Sequence, residues 1–167
     1  AYDVFVGSGS LGDAYRVAES AVLQMPGNIA WRLRLAQVAE WSGRSEKSLE
    51  QWRYIAGNAS ENSQREQAWQ SVLRLAPGLR DDQALLAAWL HQAETRKLDA
   101  KQWHLIADTY ERLARAEEGA AYFSRRYAQS PEEIFLEIEA YLLERLGRDE
   151  RAIAAYRRLV TAHPATG

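Results

Sequence analysis

Residues 103–131 read WHLIADTYERLARAEEGAAYFSRRYAQSP, and the order of large and small side chains in that stretch decides the fold. Trp103, Ile106, Ala107 and Tyr110 recur at intervals of three and four, Gly119 and Phe123 do so again, and Pro131 closes the run. Residues three or four apart share one face of a helix, so the stretch predicts two amphipathic helices. The small residues Ala107 and Gly119 let the two backbones approach, and Trp103, Tyr110 and Phe123 fill the space around that contact.

These landmarks resemble the tetratricopeptide pattern, W-x2-L-G-x2-Y followed by A-x3-F and P. Here Ile106 stands for Leu, Ala107 for the first Gly, and Gly119 for the small Ala of the second helix. The resemblance implies an all-α fold of helix-turn-helix repeats. Spacing along the chain agrees. Pro131 and Pro164 are 33 residues apart, as are Phe123 and Tyr156, and Pro26 lies 105 residues before Pro131, which is three units of 35. Independent helices have no reason to keep such a beat, so the expected architecture is a right-handed α-solenoid with one continuous core.

Residues 1–10, AYDVFVGSGS, read as a flexible N-terminal segment, from the Gly/Ser content, or as the end of a preceding helix. Residues 11–167 read as a single solenoid: a half repeat over 11–26, then repeats over about 29–60, 63–97, 99–131 and 132–164. Asn28 is a candidate N-cap, and Ser63-x-x-Glu66 and Asp99-x-x-Gln102 are candidate capping boxes. Ser130-Pro131-Glu132-Glu133 reads as an N-cap followed by a first-turn proline. Repeat 63–97 is degenerate, with Pro77-Gly78 at its turn and no closing proline. The chain does not begin with Met, and the expectation is a processed product or a fragment of a longer array.

Composition narrows the function. The 167 residues carry a net charge of −2, which argues against general nucleic-acid binding. The absence of cysteine removes disulfides, thiol catalysis and thiolate metal sites. The longest apolar run, Ala84 to Leu90, falls far short of a membrane span. His91, His104 and His163 lie on different repeats without ligand spacing, so no metal site is expected. The pairs Asp81-Asp82, Glu117-Glu118 and Glu132-Glu133 point about 100° apart on a helix and cannot converge as an acid/base dyad. The doublets Arg125-Arg126 and Arg157-Arg158 fall on second helices, expected to be solvated and paired with acids. No catalytic residue and no cofactor is expected. Trp31, Trp52, Trp69, Trp89 and Trp103 read as packing residues, and truncating a buried one such as Trp52 costs about 3–5 kcal/mol. Trp41, near the end of a first helix, is expected to be exposed.

A surface remains. The tetratricopeptide resemblance implies a concave groove lined by first-helix residues that do not enter the core. The matching positions are Leu33, Gln37, Glu40 and Trp41, then Gln67, Ser71 and Arg74. His104, Asp108, Glu111 and Arg112 follow, and then Glu137, Tyr141, Glu144 and Arg145. The Lys/Asn/Arg set with which the best-known members clamp a C-terminal carboxylate is missing. The chosen partner-binding residues are Trp41, Gln37, His104, Asp108, Glu111, Glu137, Tyr141 and Glu144, a mildly acidic groove in the C-terminal half.

A narrower resemblance lies in Arg34 to Ala56, RLAQVAEWSGRSEKSLEQWRYIA. With its Glu-Trp-Ser-Gly turn and Trp-bearing second helix it is similar to repeats of the large bacterial exopolysaccharide export proteins of the Pel type. That likeness implies a periplasmic scaffold ahead of an outer-membrane barrel, docking a polysaccharide deacetylase/hydrolase and guiding a cationic polysaccharide. The second reading is a cytoplasmic adaptor that binds a peptide or helical segment of a partner protein.

Overall fold

The computed structural model describes residues 1–7 and 9–165. Among these the secondary structure is ten α-helices and no strand. They are α1 (Tyr2–Gly7), α2 (Leu11–Gln24), α3 (Ile29–Trp41), α4 (Ser45–Asn58), α5 (Asn62–Leu75), α6 (Asp82–Thr95), α7 (Ala100–Arg112), α8 (Ala116–Gln129), α9 (Glu133–Arg145) and α10 (Asp149–Ala162).

One device closes every hairpin. Gly9, Gly43, Arg80, Ala114 and Gly147 have φ of 78°, 73°, 53°, 55° and 69°, the left-handed conformation that turns the chain after a helix. At each site the next amide reaches back five residues, as Arg44 N–H does to Ala39 O at 2.7 Å and Arg148 N–H to Leu143 O at 2.9 Å. The left-handed residue itself bonds three back, as Gly43 N–H does to Glu40 O at 3.0 Å. This double bond satisfies carbonyls that a helix end otherwise leaves open. Successive left-handed residues are 34, 37, 34 and 33 apart. The three extra residues sit in one turn: 76–81 joins α5 to α6, whereas 42–44, 113–115 and 146–148 join the hairpins α3/α4, α7/α8 and α9/α10. The Pro77-Gly78 insertion therefore lengthens a turn and leaves the helices intact.

Helix starts follow the expected caps in part. Asn28 Oδ1 accepts the Trp31 amide at 3.0 Å, and Asp99 with Gln102 forms a complete capping box. Asp81 accepts the Ala84 amide at 3.0 Å. The Ser63–Glu66 box does not form, because α5 begins two residues earlier, with Glu61 as N-cap and no side-chain cap bond; Glu66 binds His91 instead, at 2.7 Å. Ser130 does not cap α9 either. Glu132 holds the N-cap position, Pro131 lies outside the helix, and the Ser130 hydroxyl donates to the Glu132 carboxylate at 3.1 Å.

The N-terminal segment, read from the sequence as a linker or as the end of a preceding helix, is helical over residues 2–7. Residues 2–7 form α1, Tyr2 is buried, and its hydroxyl donates to the Arg34 carbonyl at 3.1 Å. Its ring meets the edge of Trp31 at 6.0 Å. The Gly/Ser composition has a physical use here: Gly9 supplies the left-handed turn and Ser10 N–H returns to Phe5 O at 2.8 Å. Thus α1 and α2 form a hairpin like those that follow.

Packing divides the chain into two compact units, Ala1–His91 and Gln92–Gly167. The division falls within α6, in the repeat with the lengthened turn. In the first unit α3 is buried on two sides. Leu35 and Val38 join Tyr2, Ala14, Ala18 and Val22 in one cluster, whereas Ala36 packs with Trp52, Ile55, Ala68 and Val72 in another. The Ser48 hydroxyl, fully buried, ties α4 to α3 through the Ala36 carbonyl at 2.7 Å. In the second unit Trp103 meets Phe123 at 6.0 Å and Phe135 at 4.9 Å, both edge-on. Gly119 lets α8 close on α7: a Cβ there would lie 2.9 Å from Tyr110 Cγ and 3.1 Å from Leu142 Cδ1. Trp52 and Trp103 are buried, Trp31, Trp69 and Trp89 are half-buried against core, and Trp41 is 56% exposed as expected.

Candidate functional site

Two turns of α7 and α9 build a surface site in the second unit. Helical spacing puts Asp108, Glu111 and Arg112 on one face of α7, and Tyr141 and Arg145 on the facing side of α9. Together they line a pocket of about 400 Å³. Arg145 Nε donates to Glu111 Oε2 at 2.6 Å, and its guanidinium stands 5.8 Å from the Tyr141 ring centroid. Arg112 donates to the Thr109 hydroxyl at 3.2 Å. Partial burial raises the Tyr141 pKa, the Glu111 charge raises it further, and Arg145 pulls it down. The hydrogen bond to Glu111 strengthens the hold of Arg145 on its proton. With two acids and two bases around an aromatic ring, the pocket can take polar groups of either charge. Among the described residues no group of three His, Cys, Asp or Glu side chains could hold a metal ion.

The first unit repeats the pairing. Arg74 on α5 engages Glu40 on α3 through both carboxylate oxygens, with Nη2 to Oε2 at 3.0 Å. Glu40–Arg74 and Glu111–Arg145 are both 34 residues apart, and Arg151 reaches Glu117 across the same separation. Trp41 stands exposed beside Glu40, one turn after half-buried Gln37.

The candidate residues therefore do not all share one groove. Asp108, Glu111 and Tyr141 meet in the α7–α9 pocket, and exposed His104 lies one turn before Asp108 on the same helix face. Glu144 turns instead toward α10, where it accepts the Tyr156 hydroxyl at 3.0 Å, and the Glu137 charge also acts on Tyr156. Two groove positions belong elsewhere. Leu33 packs on the first unit's core, and Ser71 is buried with its hydroxyl on the Gln67 carbonyl at 2.9 Å. Arg126 is paired with an acid as expected but is only partly solvated. It lies 5.2 Å from the Trp103 ring centroid and pairs with Glu94 at 3.2 Å, its side chain 19% exposed. Sequence reasoning missed the exposure of Tyr156, Ile153 and Val160 on α10. It also missed the Glu–Arg ladder, whose signal was a glutamate followed 34 residues later by an arginine.

Successive helix hairpins, left-handed turn residues about 34 apart and the close Gly119–Tyr110 contact between α7 and α8 define a tetratricopeptide-repeat fold. Neither a family model nor a curated protein sequence matches the chain. Among solved structures it superposes on Naa15/Naa10 bound to HypK-THB with a TM-score of 0.58 at 13% identity, over 98% of this chain and 30% of that one. Two further similar structures are MamA, with a TM-score of 0.48 at 12% identity over 99% of this chain and 93% of that chain, and YrrB. The latter, described as a TPR protein with an unusual peptide-binding site, gives 0.45 at 10% identity over 98% and 83%. At such identities the likeness concerns the fold. No helix among the described residues is long and apolar enough to cross a membrane.

Proposed function

We propose that this chain is a non-catalytic scaffold that binds a protein partner through first-helix faces. The observation that carries the reading is the α7–α9 pocket, where Asp108, Glu111, Arg112 and Arg145 surround Tyr141. A fixed ring flanked by charged groups supplies contact area with little ordering cost and hydrogen bonds that set register, which is how interface anchors work. The finer reading is the periplasmic portion of a Pel-type exopolysaccharide export protein. There the partner would be a polysaccharide deacetylase/hydrolase, and exposed Asp108 with Glu137 and Glu144 would attract a partly deacetylated, cationic polymer. The support for it is the Arg34–Ala56 likeness and the surplus of acids on α7 and α9. Titrating the protein with partly deacetylated chitosan oligomers tests the polymer arm by calorimetry. Binding that weakens on charge reversal at Asp108, Glu111 and Glu144 supports it, and binding indifferent to those changes removes it. Pull-down from a periplasmic extract, with Tyr141→Ala as control, tests the protein arm; a set of bound proteins identical for both forms counts against the pocket.

The second reading, a cytoplasmic adaptor for a peptide or helical segment, rests on a different observation. Trp41 is 56% exposed beside the Glu40–Arg74 pair, and an exposed tryptophan next to an ordered charge pair is a natural hot spot. Trp41→Ala abolishing partner capture while Tyr141→Ala does not would favour it.

A further inference from the structure

We propose, on the basis of the scaffold reading above, that the α7–α9 pocket is a subsite for an arginine of the partner polypeptide, its guanidinium lying on the Tyr141 ring with the Asp108 carboxylate as acceptor. Four of the lining side chains are charged, namely Asp108, Glu111, Arg112 and Arg145. Three of them already have partners. Glu111 accepts Arg145 Nε at 2.6 Å, and Arg112 donates to the Thr109 hydroxyl at 3.2 Å. Asp108 differs: it is exposed, and its carboxylate accepts no hydrogen bond and joins no ion pair among the described residues. An incoming anion would meet guanidiniums that already have acceptors, beside an open carboxylate. An incoming cation meets an open acceptor, so the charge that the pocket lacks is positive.

The ring decides which base fits. A cation gains from an aromatic face within about 6 Å of the ring centroid. Arg145, tethered by Glu111, stands 5.8 Å from the Tyr141 centroid, at the outer edge of that range. Where no acid holds the arginine back, the same contact is closer: Arg32 lies 3.8 Å from the Tyr54 centroid and Arg44 lies 4.1 Å from that of Tyr15. Tyr141 is half-buried and lines the pocket, so its ring offers the close contact that Arg145 does not make. A planar guanidinium can stack on a ring and give two parallel N–H donors to one carboxylate, whereas an ammonium is a compact charge that keeps its water. The pocket, about 400 Å³, has room for such a side chain. Glu137, one turn before Tyr141 on the same face of α9, adds negative charge that draws a base inward.

The test titrates the 167-residue protein with three blocked probes, Nα-acetyl-argininamide, Nα-acetyl-lysinamide and methyl glucosaminide, followed through the amide signals of ¹⁵N-labelled protein. Acetyl-argininamide is expected to bind at millimolar concentration, the range open to a single side chain, and to move the signals of residues 108 and 141. Asp108→Asn is expected to weaken that binding about three- to tenfold without changing the melting temperature, since Asp108 is exposed. Tyr141→Phe keeps the ring and is expected to retain the affinity, whereas Tyr141→Leu is expected to lose about threefold or more. No movement of those signals, or an affinity unchanged by both Asp108→Asn and Tyr141→Leu, overturns the proposal. Equal or tighter binding of the lysine or the glucosamine probe also overturns it, the latter by making an amino-sugar polymer the occupant. The titration needs no natural partner, so its failure removes the arginine subsite alone and leaves the scaffold reading to the pull-down.

Discussion

Arg145 of α9 donates to Glu111 of α7 at 2.6 Å, 34 residues earlier in the chain, and the pair borders the Tyr141 ring. The shift from α7 to α9 is 33 residues, so Arg145 stands one position past the equivalent of Glu111 on the next first helix, and Glu40 with Arg74 is likewise 34 residues apart. The electrostatics of Tyr141 can be read from this pair. Glu111 disfavours the phenolate and Arg145 favours it. Arg145→Gln is therefore expected to move the Tyr141 titration to higher pH, and Glu111→Gln to lower pH, as followed by NMR of a ¹³C-labelled tyrosine ring. Titration curves that coincide with the unmodified protein would show that the pair does not reach the ring.

Gly119 is where α8 touches α7 most closely. An alanine there gains about 1 kcal/mol of helix propensity, yet its Cβ would come within 2.9 Å of the Tyr110 ring and 3.1 Å of Leu142. Tyr110 is 2% exposed and Leu142 fully buried, so neither can yield freely. Overpacking wins: Gly119→Ala is expected to destabilise by about 1–3 kcal/mol in urea unfolding. A stability equal to or above that of the parent would show that the contact is soft.

The five hairpin turns offer the opposite experiment. Ala114 and Arg80 hold φ of 55° and 53°, where a side chain is strained, whereas the equivalent positions Gly9, Gly43 and Gly147 carry glycine. Replacing the alanine with glycine relieves about 1 kcal/mol of strain, part of which is lost to the freer unfolded chain. Ala114→Gly is expected to raise the melting temperature slightly, and Gly43→Ala to lower it by several degrees. If Ala114→Gly lowers it, the turn is not strained.

These turns also show how much the sequence reveals. The bulky-small beat of Trp103, Ala107, Tyr110, Gly119 and Phe123 was legible because packing a hairpin demands those sizes at those spacings. The Asp99–Gln102 cap was legible because its two hydrogen bonds are local. The Ser63–Glu66 cap had the same spelling and does not form, since Glu66 finds His91 25 residues away, a tertiary contact that no local pattern contains. The segment 1–10 misled for a related reason: glycine and serine serve a left-handed turn as well as they serve a linker, and Tyr2 settles the matter by burying itself against Trp31. Of the candidate site, Asp108, Glu111 and Tyr141 were picked out by the tetratricopeptide resemblance, which assigns such first-helix positions to a groove, and they line one pocket. Leu33 and Ser71 did not behave as their positions suggested, because which side of a first helix faces core depends on the neighbouring helices.

Glu139 provides a pH test of the second unit's core edge. Its carboxylate is largely covered, Oε2 has no hydrogen-bond partner, and Arg158 stands 4.0 Å away with an exposed side chain. Burial raises the Glu139 pKa, and the charges of Arg158 and Arg151 offset only part of that effect. A carboxyl whose folded pKa exceeds its unfolded one binds its proton more tightly when folded. Its contribution is therefore favourable at low pH and is lost as pH rises from the unfolded value, about 4.3, through the raised folded value. Other carboxylates, Glu117 and Glu118 among them, have lowered pKa values through their arginine partners and push stability the other way below pH 5. The informative quantity is thus the difference between Glu139→Gln and the parent. Glutamine keeps the shape and never ionises, so the variant is expected to gain on the parent as pH climbs from 4 to 7 and to hold that gain above pH 7. Urea unfolding at a series of pH values measures it, and a difference that stays constant or shrinks over that range would mean the carboxylate is already well solvated.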